Sequence, residues 1–197
     1  MKKILFVIML VMNTLVNNAE VLPMPQTTGG MPLMEAMTMR QSSRDINADS
    51  QVTRQELSNI LWAAWGITHD GKHTVGTAMN RQELEIFVIT AEGISKYNPA
   101  DITLTMVNSG DYRAFAGAQP FAVTAPLNIA LVVDTSKQEM EAFQTYSAAA
   151  ASQNIYLYCA SAGLKTVVRA SFDHDNLAKA MKLGENEKVM FVQSVGR

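Results

Sequence analysis

Cysteine is nearly missing from this chain: Cys159 is the only one in 197 residues. An internal disulfide is therefore excluded, and any export of the protein does not imply a disulfide framework. Cys159 sits among Tyr158, Ala160 and Ala162, so it is expected to be a packed core thiol rather than a nucleophile. Charge is also scarce. Only 17% of residues are charged, the net charge is -2, and no block of basic residues occurs, which argues against nucleic acid as a partner. No internal repeat is found. Long apolar runs are missing apart from residues 4–16, which follow Lys2 and Lys3 and are broken by Asn13 and Thr14. That run is shorter than the roughly 20 residues a membrane span needs. It reads as a secretory signal over residues 1–19, with Ala19 as the candidate cleavage point. The expectation is an exported protein, periplasmic or secreted, with no stable membrane association after cleavage. No cysteine follows the run to carry a lipid.

What is present suits one globular domain. Apolar residues make up 48% of the chain, enough for one sizeable core. Residues 20–37 hold three prolines, the Gly29-Gly30 pair and several methionines, and read as a flexible leader. The folded domain is expected over residues 38–197.

Local patterns outline the elements. Thr53 with Glu56 three residues on fits a capping box, and Leu57, Ile60, Leu61 and Ala64 repeat along one helical face up to Gly66. Residues 84–90 are rich in β-branched and aromatic side chains. Turns at Glu92-Gly93 and at residues 98–101 then fold the chain into an antiparallel meander, with Ile102, Leu104 and Met106 alternating on a half-buried strand. Residues 127–133 read as a central strand. Ser136 with Glu139 fits a second capping box, opening a long alanine-rich helix that ends before Gly163. Asp173 caps a short helix expected to reach Leu183, and residues 189–195 form a last strand. This order is α+β rather than a βαβ repeat.

Several polar groupings invite a chemical role. Asp45, Asn47, Asp49 and Glu56 have nearly the spacing of a calcium loop, but Ser50 stands where the sharp turn wants glycine, and Glu56 is already used by the Thr53 cap. His69 with His73, and Asp173-His174-Asp175, lack a third partner at metal-ligand spacing. These are read as turns and caps, and no metal is expected. Arg40-Gln41-Ser42-Ser43-Arg44 is more pointed. It sets two guanidinium groups and hydroxyls ahead of the first capped helix, and guanidinium binds phosphate through paired, charge-assisted hydrogen bonds. Arg197 is a third candidate cation.

Taken in order, these stretches resemble the nitroreductase family. Arg40-x-Ser42-x-Arg44 is similar to the family's phosphate-gripping opening. Residues 61–66 (Leu-Trp-Ala-Ala-Trp-Gly) resemble the end of its first helix, and Thr77-Ala78-Met79-Asn80-Arg81-Gln82 its loop near the flavin. Residues 117–121, the long helix with its Gly163-Leu164 exit, residues 168–171 and the ending Val195-Gly196-Arg197 also match. The resemblance implies a three-layer α+β fold, with a mostly antiparallel sheet flanked by helices, and a homodimer whose sites lie at the interface. It implies FMN as cofactor, with Arg40, Gln41, Ser42, Arg44, Asn80, Gln82, Gln119, Arg169, Ala170 and Arg197 as the residues around it. It further implies ping-pong hydride or electron transfer through the flavin N5, with NAD(P)H as a donor and a small nitroaromatic, quinone or similar conjugated substrate. No side-chain acid or base is assigned as catalytic. The alternative is an exported flavin-binding member without turnover. The chain departs from the family at Glu83-Leu84, where many relatives have Pro-Trp, and at Ala170-Ser171, where glycine is common.

Overall fold

The computed structural model describes residues 19–197, so all of the proposed signal except Ala19 lies outside the described residues. Seven strands form one sheet: β1 (Ala19–Val21), β2 (Leu84–Ile89), β3 (Gly93–Asn98), β4 (Thr103–Ser109), β5 (Leu127–Asp134), β6 (Lys165–Arg169) and β7 (Glu187–Gly196). The strand order is β1-β4-β3-β2-β5-β7-β6, and every pair is antiparallel. The expected meander is β2-β3-β4. The expected central strand is β5, whose residues Leu127 to Val133 are all buried between β2 and β7.

Alternation along β2 divides the core. Leu84, Ile86 and Val88 face helices α2 (Arg54–Trp65) and α4 (Glu141–Ala162), while Phe87 and Ile89 face α5 (His174–Ala180) and Phe115. The layered α+β expectation holds. Cys159 is fully buried, and burial pushes its thiol up to about 12, so it is an inert core group.

Thr53 caps α2 as its sequence requires: the Glu56 amide donates to the Thr53 hydroxyl, and the Thr53 amide donates to Glu56 Oε2 at 2.8 Å. The second capping box does not form. Asp134 captures both the amide and the hydroxyl of Ser136, and α4 begins at Glu141 with no side-chain cap. Gly163 ends α4 in the left-handed region, where it has no Cβ to strain. Asp173 does cap α5, but that helix stops at Ala180 rather than Leu183. In β4 the alternation fails at Met106, which is exposed. A register shift at Ile94/Ser95 turns the strand, and Gly93 packs beneath the Met106 side chain.

The segment expected to be a flexible leader differs most. It contains β1 and a short helix, α1 (Leu33–Met39), and it packs across α2 and α4. Its ties are long-range. The Pro23 carbonyl accepts from Ser58, the Gln26 amide donates to Asn59 Oδ1, and the Met31 amide donates to Ser161 Oγ. Leu22 and Ala36 are buried.

Candidate functional site: an arginine cluster at the β6 edge

Residues 40–45 run beside β6, the open edge of the sheet. The Ser43 amide donates to the Thr166 carbonyl at 2.9 Å, and Lys165 pairs with Asp45 at 2.6 Å. Tyr156, projecting from α4, holds this segment from below. Its hydroxyl accepts from the Val168 amide at 3.0 Å and shares a hydrogen bond with the Ser42 hydroxyl at 2.8 Å. The Arg40 guanidinium lies over the Tyr156 ring, 5.2 Å from its centre. Gln41 is exposed and lines a groove of about 180 Å³ with Ser43, Tyr156, Lys165 and Thr166.

Arg169, at the end of β6, turns inward. It donates to the Ala116 carbonyl at 3.0 Å, to Asn128 Oδ1 at 3.2 Å and to Ser194 Oγ at 3.2 Å, and it lies over the Phe121 ring. Gly117 permits this approach, since a Cβ there would come within 3.1 Å of the guanidinium carbon. The Arg169 Nε is buried without a partner. Burial first, and then the Arg44 charge, push Arg169 down to about 10. Among the described residues, no carboxylate lies within ion-pair distance of Arg40, Arg44 or Arg169. Uncompensated guanidinium groups beside hydroxyls, with the Arg44 and Arg169 charges opposing one another, make a site that favours an anion with several acceptor oxygens.

The other candidate residues divide. Ala170 is exposed just past β6, beside Arg169. Gln119 is exposed at the start of helix α3 (Pro120–Thr124), where its carbonyl accepts from the Ala122 amide. Arg197 does not join the cluster: its guanidinium pairs with Glu56 at 2.5 Å and reaches the Gln51 carbonyl. Asn80 and Gln82 lie in a loop before β2, whose next residue, Glu83, bonds through Oε1 to Ser147 on α4 at 2.8 Å. Ser147 is nine residues from Tyr156, which at 1.5 Å per residue is about 14 Å along the helix. One chain therefore holds the two groups at separate ends of α4.

That loop is strained. Met79, Asn80 and Gln82 have φ of 54°, 55° and 51°, uncommon for side-chain-bearing residues. The Thr77 hydroxyl and carbonyl hold it by accepting from the Gln82 and Asn80 amides. Glu83 is wholly buried and pins the loop end, with Oε2 unpartnered.

Sequence reasoning missed Tyr156, Asn128, Ser194 and Glu83. Asn128 was the most visible of these, as the lone polar residue in an apolar strand. The possible calcium loop is committed elsewhere: Asp45 pairs with Lys165, the Asn47 side chain accepts from the Asp49 amide, and Glu56 serves Thr53 and Arg197.

The Nitroreductase family model matches residues 37–197, and the chain belongs to that family. A nitroreductase-like protein of Methanocaldococcus jannaschii is 28% identical over 182 residues, spanning 84% of this chain and 90% of its own. A nitroreductase-like crystal structure from Ralstonia eutropha is 35% identical with a TM-score of 0.83, covering 91% of this chain and 89% of that one. A more distant fold neighbour, a nitroreductase-like protein of Desulfovibrio desulfuricans solved in complex with FMN, is 19% identical with a TM-score of 0.62; it covers 85% of this chain and 87% of its own.

Proposed function

We propose that the chain is an FMN-dependent oxidoreductase acting on small conjugated molecules such as nitroaromatics or quinones, with NAD(P)H as a donor. The observation that carries this reading is the arginine cluster. Arg40 and Arg44 have no acidic partner among the described residues, and the Arg44 and Arg169 charges oppose one another until an anion joins them. A phosphate monoester fits that donor set, and family membership makes FMN the phosphate carrier to test first. Arg40 and Arg44 would hold the phosphate, with the Ser42 hydroxyl as a short polar contact. Gln41 and Ala170 line the approach along β6. Gln119, exposed at the start of α3, is a further candidate contact. Arg169 fixes the floor by tying β6 to Ala116 and Asn128. Bound FMN would supply reversible electron transfer at its N5, and the chain's own work is binding, orientation and electrostatic tuning.

Asn80 and Gln82, at the other end of α4, would serve the flavin of a second copy. The exposed stripe of α4 supports a homodimer. Ala142, Thr145, Tyr146, Ala149 and Gln153 carry no charge, and Glu141 is the only charged residue in the 22-residue helix. Uncharged, small residues permit close helix approach. The signal reading of residues 1–19 supports a role outside the cytoplasm.

The purified mature protein should show flavin absorption and release FMN on denaturation, and the bands should bleach with NADH or NADPH and recover on adding a quinone. Arg40→Ala and Arg44→Ala should each weaken FMN retention by about 1.5–3 kcal/mol. A colourless protein that cannot be reconstituted with FMN would overturn the cofactor reading. Bound FMN that no donor reduces would leave a binding module without turnover.

A further inference from the structure

A cavity of about 510 Å³ lies away from the arginine cluster, at the start of β2 and the end of β3. In the sheet, β2 is three strand spacings from β6, roughly 14 Å. Trp65, Leu84, Tyr97, Pro99 and Val107 give the cavity apolar walls. His73 is stacked on Trp65, with ring centres 3.8 Å apart and planes 4° from parallel.

The polar chemistry of the cavity is specific. His73 Nδ1 lies 3.0 Å from the Trp65 carbonyl. A carbonyl oxygen only accepts, so Nδ1 carries the hydrogen and Nε2 keeps a lone pair. Nε2 has no hydrogen-bond partner among the described residues. Burial holds the imidazole below its usual range, so it is neutral at pH 7 and remains an acceptor. The two ammonium groups of the cavity are already engaged: Lys96 with Glu85 at 2.6 Å and with Glu187, and Lys137 with Asp134. An anionic ligand therefore finds no free cation, and Glu85 and Glu187 share the one ammonium of Lys96. What remains is an apolar body with the fixed His73 Nε2 acceptor and, in the wall, the buried and unpartnered Tyr97 hydroxyl. The strained 79–82 loop supplies Gln82 at the rim, the kind of backbone found at ligand clamps.

We infer that this cavity is a binding site for a small neutral phenol, whose ring lies against the apolar walls and whose hydroxyl donates to Nε2 of His73. Gln82 at the rim is the residue assigned above to the flavin of a second copy, so binding is measured with and without FMN to separate the two readings. Calorimetric titration of the mature protein, with and without FMN, would compare 4-cyanophenol with 4-cyanoanisole. The two share ring and substituent, and the ether replaces the donated hydrogen with a methyl group. The phenol should bind about tenfold more tightly than its methyl ether, the upper range for one hydrogen bond. The preference should persist in Arg40→Ala, which alters only the arginine cluster. His73→Phe keeps a ring on Trp65 but removes the acceptor, and should erase the preference; His73→Gln retains an acceptor oxygen and should keep part of it. Equal binding of phenol and ether by the wild-type protein would overturn the proposal without any variant. A preference unchanged in a folded His73→Phe protein would overturn it as well.

Discussion

At the scale of single residues, Arg169 and Arg44 set two like charges against one another with no carboxylate in ion-pair reach among the described residues. Arg169 is buried with its Nε unpartnered and the Arg44 charge nearby. Arg44→Gln should therefore raise the melting temperature of the flavin-free domain while weakening FMN retention, because the same charge that repels Arg169 attracts phosphate. A lower melting temperature together with unchanged FMN affinity would contradict this. Arg169→Met should act in the opposite sense. It leaves the Ala116 carbonyl without its donor and should cost about 1–3 kcal/mol in chemical denaturation. The two arginines were not equally legible in the sequence. Arg44 belongs to a short polar run whose spacing can be read directly. The burial of Arg169 depends on Ala116, Asn128 and Ser194, which lie 53, 41 and 25 residues away, and no local pattern joins them. Glu83 is similar: it breaks the family pattern visibly, yet only its contact with Ser147, 64 residues on, shows that the break lies in the core.

At the scale of elements, α2 and α4 explain which boundaries could be read. The Thr53–Glu56 box forms because Glu56 serves it through Oε2 while Oε1 takes Arg197, so the two contacts do not compete. The Ser136–Glu139 pattern is equally good on paper, but Asp134 is two residues from Ser136 and reaches it first. Glu56 also joins α2 to Arg197, so the helix start and the final strand share one carboxylate. Burial pushes that carboxyl up, but the Thr53 amide and hydroxyl and the Arg197 guanidinium together hold it below the ordinary value of 4.5. A lowered native value means the contribution is present above the unfolded value and is lost as pH falls through the native one. Glu56→Gln should thus reduce stability at neutral pH and flatten the loss that the wild-type protein shows below about pH 4.5. Thr53→Ala should cost about 0.5–2 kcal/mol across that range. Parallel acid-unfolding curves for wild type and Glu56→Gln would rule out the shared-carboxylate account. The leader was misread for a related reason. Its prolines, glycines and methionines suggest a flexible chain, while the contacts that order it come from Ser58, Asn59 and Ser161.

At the scale of the whole molecule, the sheet ends on one side at the three-residue β1 and on the other at β6, beside which residues 40–45 run. A very short edge strand and an edge flanked by residues 40–45 are poor templates for strand addition, so assembly is expected through the α4 face instead. Ala149→Glu places a charge in the middle of that uncharged stripe. In sedimentation velocity the wild-type protein should run as a dimer and Ala149→Glu as a protomer; a wild-type protomer at micromolar concentration would refute the seam. The pairing of β1 also bears on how the protein matures. Ala19, Glu20 and Val21 are laddered to Thr105, Leu104 and Thr103. A protease must draw its target into an extended, unpaired form, so the bond after Ala19 cannot be both docked and cut. On the exported reading, removal of the signal must precede closure of this edge, and a chain that folds too early would keep its signal. The three residues of β1 would then act as a clock, setting the order in which the protein is trimmed and sealed.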